Sequence, residues 1–182
     1  MNGEAEFEEL ARTVHDHGTG IRVGEVTVRG PDGAVFRRRY LHTPEIVAVV
    51  AVHLGDLLLV REFRPAVGEE VLQVPMGKVL AGRDPLSCAR AELAEEAGFH
   101  ADHCEPVGTL LSCPGWMDQV MHVFRAVDPT ALPSRPDSDD PDDVEEQHST
   151  VVRMPLHGFD AAVRSGAVRD ARTIAAVRLA LG

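Results

Sequence analysis

The chain has 182 residues, a formal charge of −11 at neutral pH, 44% hydrophobic residues and only 4% aromatic ones. That length carries one domain, or one domain with a modest appendage, around a real core. The acidity sets nucleic acid and anionic membrane aside as partners, since both would repel it, and a phosphate substrate needs a local cation to bridge the like charges.

The opening residues MNGEAEFEEL lack a basic stretch followed by an apolar one, and no run approaches the roughly 20 apolar residues that cross a bilayer. The expectation is a soluble, cytoplasmic protein. Cys88, Cys104 and Cys113 have neither CxxC nor Cys/His spacing and read as reduced thiols used as small apolar residues. The nine histidines contain no i, i+4 pair, which sets a helix-borne zinc site aside.

Glu6 to Thr13 reads as a short helix or a frayed end. Ile21 to Arg29 alternates apolar and polar residues, as a half-buried strand does. Gly30-Pro31-Asp32-Gly33 then turns the chain, and Ala34 to Leu41 returns as a second strand. This hairpin (residues 1–43) stands before the main domain (44–182), with Arg37 to Arg39 on a solvated or interface face. Glu45 to His53 is a nearly continuous apolar run, the pattern of a strand covered on both faces. Gly55-Asp56 turns it and Leu57 to Phe63 comes back. A short strand, Val71 to Val74, delivers the chain to Pro75-Met76-Gly77.

A helix follows. Asp84 suits the N-cap, Pro85 the first helical position and Gly98 the left-handed stop, with Phe99 behind it. Leu86, Ala89, Leu93 and Ala97 form the stripe that buries. Glu92, Glu95 and Glu96 stand at i, i+3 and i+4, so they share one face. Like charges there repel, and the helix dipole disfavours them. Either the face is merely solvated, or a hard divalent cation reverses the penalty. Beyond the helix, Glu105 to Cys113 and Gln119 to Val127 read as strands around the loop Pro114-Gly115-Trp116-Met117-Asp118. Asp128 to His148 is a proline-rich acidic stretch with no core of its own. Ser149 to Met154 reads as a last strand, and Leu156 to Arg164 and Asp170 to Leu181 as helices.

The stretch Gly77 to Phe99 resembles the Nudix hydrolase signature, G-x5-E-x7-R-E-U-x-E-E-x-G-U with U apolar. Gly77, Glu92, Leu93, Glu95, Glu96, Gly98 and Phe99 stand at the expected offsets, while Arg83 replaces the family's Glu and Ala91 its Arg. VREFRPAVGEEVLQVPMG before the box, Pro114 in a PG-aromatic loop and the ending RSGAVRDARTIAAVRLAL are similar to the ADP-ribose pyrophosphatase branch. The resemblance implies an α/β fold, a Nudix α/β/α sandwich with a mixed sheet, preceded by an N-terminal hairpin that packs into a homodimer. It implies metal-dependent hydrolysis of ADP-ribose or a related nucleoside diphosphate sugar to a nucleoside monophosphate and a sugar phosphate.

By position in the motif, Glu92 and Glu96 would hold Mg²⁺ (Mn²⁺ as substitute), with Glu95 sharing or orienting and the Met76 carbonyl adding an oxygen. Glu145 and Glu146 occupy the region where the branch often places its general base, beside Glu95 as a catalytic carboxylate. Arg61 and Arg64 match basic positions that contact phosphate or ribose, and Trp116 is the candidate for base or sugar. Gln73 and Gln119 stand where Glu is frequent. Arg83 and Ala91 remove an ion pair together, leaving Arg83 to reach towards Glu92 or Glu95 in competition with metal. Two other readings remain: a pyrophosphatase for another nucleotide or a prenyl diphosphate, and a weakened fold that binds a nucleotide as a sensor.

Overall fold

The computed structural model describes residues 6–16, 22–136 and 148–182, which fall into two units, Met1–Pro44 with Leu111–Val120 and Glu45–Leu110 with Met121–Gly182. In the first unit, strands β1 (Glu8–Asp16), β2 (Arg22–Arg29) and β3 (Val35–His42) form an antiparallel sheet in the order β1-β2-β3. The expected hairpin is β2–β3. The helical or frayed reading of Glu6 to Thr13 is corrected from Glu8 onward, because the chain there pairs with β2, with a bulge between Glu9 and Ala11. The free edge of β2 offers a full ladder of backbone bonds, and that tertiary gain overrides a weak local helix preference. Arg12 forks onto Glu9 at 3.0 and 2.6 Å and reaches the Tyr40 hydroxyl at 2.8 Å, which fixes β1 across the sheet. Arg37 and Arg39 face solvent beside Glu25.

The loop around Trp116 belongs to this same unit. The Leu41 N–H donates to the Trp116 carbonyl at 2.7 Å, and Asp118 accepts from the Thr43 N–H at 3.0 Å and lies 2.6 Å from His42 Nδ1. Partial burial pushes the Asp118 carboxyl up, but the bonds from His42 and Thr43 outweigh it and hold the group below the ordinary carboxylate range.

In the second unit, β4 (Ile46–His53), β5 (Asp56–Arg64), β9 (His103–Leu111), β10 (Val120–Val127) and β12 (Thr150–Pro155) run in the order β12-β5-β4-β10-β9, with β4 and β10 parallel. Ile46, Ala48 and Val50 pack with Phe159, Ala176 and Val177 on one face, while Val47, Val49 and Ala51 pack with Ala89, Leu93 and Ala97 on the other. Alternation along a strand with a two-residue period therefore feeds both layers of a sandwich. The first layer is the helices Phe159–Ser165 and Ala171–Leu181, entered through a 3₁₀ turn at Leu156–Gly158 where a continuous helix was expected. The second is helix α1, Pro85–Ala97.

Strands β4 and β5 pair only at Val52–Leu57 and His53–Asp56. Beyond that they separate, and the chain inserts between them: β6 (Glu69–Gln73) pairs with β5 and β7 (Met76–Lys78) with β4. The Val49 N–H holds the Pro75 carbonyl at 2.8 Å at the crossing. Two short strands, β8 (Phe99–His100), just after α1 in the chain, and β11 (Thr130–Ala131), pair separately.

The β4–β5 turn places both Leu54 (φ 51°) and Gly55 (φ 88°) in the left-handed region, and Leu54 is 88% exposed. A primed hairpin turn needs positive φ at both central residues, which suits Asn-Gly and strains Leu. Leu54→Asn is expected to stabilise the fold by about 1 kcal/mol, seen as a higher urea midpoint with an unchanged denaturation slope.

Candidate active site

Helix α1 begins as its sequence dictates. Asp84 Oδ1 accepts the Ser87 N–H at 3.0 Å, and that backbone bond is the main cause holding the Asp84 carboxyl below its ordinary value. Gly98 ends the helix at φ 69° and donates its N–H to the carbonyls of Ala94 and Leu93. Burial pushes the Cys104 thiol up, and all three cysteines are unpaired.

Between these caps the acidic edge is laid against the segment Val74–Gly77. Glu96 is only 3% exposed, and its Oε2 accepts the Met76 N–H at 2.8 Å. The Glu92 carboxylate fills the space beside Gly77, where a Cβ would collide with both of its oxygens, so only glycine permits this approach. Upstream, the Val74 N–H donates to the buried Thr173 hydroxyl at 3.0 Å, and that hydroxyl donates to Asp170 Oδ2 at 2.7 Å. Four consecutive residues are thus held by β4, by α1 and by the start of the C-terminal helix.

Glu95 is held through its backbone. Its carbonyl accepts Arg135 Nε at 2.7 Å, while the other two nitrogens of Arg135 donate to the carbonyl and hydroxyl of Ser149, each at 3.1 Å. Among the described residues, no group of three or more His, Cys, Asp or Glu side chains is drawn together for a metal. Glu92 and Glu96 nonetheless converge on the Met76–Gly77 backbone, and that all-oxygen donor set fits a hard divalent cation.

The arginines divide. Strand alternation sends Arg61 out on the opposite face of β5 from Arg64, and Arg61 is exposed. Arg64 lies on the same face as Leu58, which packs against α1, and meets two buried side chains, Glu62 and Gln73. Trp116 is 72% exposed and belongs to the first unit, whereas the carboxylates of α1 belong to the second. Glu145 and Glu146 lie outside the described residues. Sequence reasoning passed over Glu62, Arg135 and Thr173. Glu62 had a signal, since it stands two residues from Arg64 on one strand face; Arg135 and Thr173 had none.

The NUDIX domain profile matches residues 41–176. Over 149 residues, the chain is 30% identical to an ADP-ribose pyrophosphatase of Bacillus subtilis (strain 168), covering 81% of this chain and 78% of that one. It is 24% identical over the same coverage to a methanol dehydrogenase activator of Bacillus methanolicus. A GDP-mannose pyrophosphatase of Cronobacter sakazakii is 30% identical over 65% of this chain and 63% of its own. Among solved structures, an ADP compounds hydrolase superposes with a TM-score of 0.78 at 21% identity, over 96% of this chain and 91% of the other. That likeness bears out the expected mixed-sheet sandwich with its N-terminal strands.

Proposed function

The chain belongs to the Nudix hydrolase family, and from that premise we propose that it hydrolyses the pyrophosphate bridge of ADP-ribose or a related nucleoside diphosphate sugar, releasing a nucleoside monophosphate and a sugar phosphate. The observation that carries the reading is the docking of Glu96 and Glu92 onto Met76 and Gly77, which sets two carboxylates of the acidic helix against one backbone turn. Glu92 and Glu96, joined by Glu95 and the Met76 carbonyl, would hold Mg²⁺, with Mn²⁺ as a substitute. When bound, such an ion offsets phosphate charge and lowers the pKa of water at the reacting phosphorus. The chain's own residues then provide position: the Met76 N–H fixes the Glu96 carboxylate, Gly77 admits Glu92, and Arg135 fixes the backbone under Glu95. In-line displacement at phosphorus depends chiefly on such positioning and on neutralised charge. Glu145 and Glu146 are the proposed general bases, Arg64 and Arg61 the proposed contacts to phosphate and ribose, and Trp116 a proposed contact to base or sugar.

The relative acting on GDP-mannose keeps that nucleotide sugar as a second candidate. Incubation with Mg²⁺ and a panel of ADP-ribose, GDP-mannose and other nucleotide sugars is expected to yield nucleoside monophosphate from at least one. Glu96→Gln keeps an acceptor for the Met76 N–H, so it should melt near the wild type while turnover falls by about a hundredfold or more. No product from any member of the panel would remove the hydrolase reading.

Arg83 and Ala91 generate a separate expectation. If Arg83 competes with metal for the acidic edge, Arg83→Glu/Ala91→Arg raises turnover and lowers the Mg²⁺ concentration needed for half-maximal activity; unchanged kinetics would count against competition.

The homodimer is proposed on the three-stranded sheet, where Phe7, Leu10, Val14, Val35 and Leu41 stay exposed. Sedimentation at twice the 19.7 kDa chain mass is expected, and a monomer at micromolar concentration would refute it.

A further inference from the structure

We propose that Glu62 and Gln73 act as one unit, carrying a single negative charge, that aims Arg64 at the diphosphate of the substrate. The proposal rests on the nucleoside diphosphate reading of the site and adds two positioning residues to it.

The three side chains close a ring. Gln73 is 0% exposed and Glu62 2% exposed. Gln73 Nε2 donates to Glu62 Oε2 at 2.6 Å, Arg64 Nη1 lies 2.8 Å from Glu62 Oε1, and Arg64 Nε and Nη2 donate to Gln73 Oε1 at 3.2 and 2.9 Å. Each member therefore bonds to both of the others. A buried carboxylate persists only when paired and hydrogen-bonded, and the ring supplies a guanidinium and an amide N–H for that purpose. The amide is the group that closes it, because it donates to the acid and accepts from the arginine at once. A second carboxylate has no hydrogen to donate and would meet Glu62 as a like charge.

Arg64 is the member that looks outward. Its side chain is about a third exposed, and a guanidinium has more N–H groups than these contacts engage. Glu62 and Gln73 hold its plane from behind, so its remaining N–H groups are pre-aimed for the paired contacts that phosphate oxygens accept. The ring stands on the face of β5 that α1 covers, and Gln73 leads along the chain into Met76 and Gly77, where the acidic helix docks.

Glutamate and glutamine have nearly the same shape, so the ring should close with the acid on either strand. This chain carries the acid on β5, at Glu62, and the amide on β6, at Gln73. What the site requires is one acid and one amide, in either order.

The test uses the full chain with Glu62→Gln, Gln73→Glu, the exchange Glu62→Gln/Gln73→Glu, and Arg64→Lys. Each is titrated calorimetrically with ADP, with and without Mg²⁺, and melted in parallel. Each single change is expected to weaken ADP roughly tenfold, and the exchange to return affinity to within about threefold of the wild type. Arg64→Lys keeps the charge opposite Glu62 but gives up the paired bonds to Gln73, so it should lose roughly tenfold in ADP affinity with a smaller loss of melting temperature than Glu62→Gln. Should Glu62→Gln fail to fold, Gln73→Glu and the exchange, which restores one acid and one amide, carry the test. With a turned-over nucleotide sugar, KM rises more than kcat falls.

Single variants that bind ADP like the wild type and lose only thermal stability would overturn the proposal, as would an exchange no better than its parents. A wild type that hydrolyses nothing in the panel yet shows this affinity pattern would sink the hydrolase reading and leave the ring standing. A wild type that does not bind ADP would overturn the ring.

Discussion

The contact on which the site depends is the Glu96 carboxylate against the Met76 N–H, at 2.8 Å and almost out of reach of solvent. An anion so placed is unfavourable unless bonded, and an N–H so placed is unfavourable unless accepted. Each removes the other's penalty. Because Glu96 lies on α1 and Met76 on β7, that bond sets the height of the helix over the sheet. Glu92 sits one turn before Glu96 on the same helix edge, so the same bond also delivers its carboxylate to Gly77.

This contact is available only because β4 and β5 separate after a single short pairing. A regular antiparallel pair would bring every residue of the two strands together and leave no room for a third segment. Here the turn at Leu54-Gly55 starts them together, and β6 and β7 fill the opening, so Val74–Gly77 crosses the sheet with both neighbours to bond. The Val49 N–H pins the crossing from the sheet and the Thr173 hydroxyl pins it from the C-terminal helix. A turn that must carry charge is thereby held as firmly as core, which a surface loop would not be.

Sequence showed those features whose cause is local. The N-cap at Asp84, the proline after it and the glycine stop at Gly98 each act within a few residues, and the helix bounds follow from them. The apolar run through β4 announced burial on both faces for the same reason. Features that depend on distant partners were not legible. Nothing within Glu6 to Thr13 says that the edge of β2 is free to receive it, so its strand state appears only when the sheet is assembled. Thr173 reads as an ordinary helix residue until Val74 is brought to it. The acidic trio lies between these cases: the shared face of Glu92, Glu95 and Glu96 follows from helical spacing, whereas the burial of Glu96 alone, and the backbone tether at Glu95, follow from what α1 lies against.

Charge arrangement links the site to the chain as a whole. Helix α1 carries no basic residue in its last turn and ends on carboxylates, an order that the helix dipole opposes. The opposing field is met from outside the helix. Arg135 brings a guanidinium to the Glu95 carbonyl at the C-terminal end, and its fork onto Ser149 ties that end to the residue preceding β12. The side chain of Arg135 also passes over Gly98, where a Cβ would crowd it, so the glycine that stops the helix makes room for the cation that steadies it. In a protein with a formal charge of −11, an anionic substrate meets repulsion at long range, and attraction must come from cations held at short range. Arg64 and Arg135 are two cations whose guanidinium groups are fixed by hydrogen bonds on the protein side. A side chain held in this way loses less entropy when it engages a further partner, so a mostly acidic chain keeps positive charge fixed beside its acidic helix.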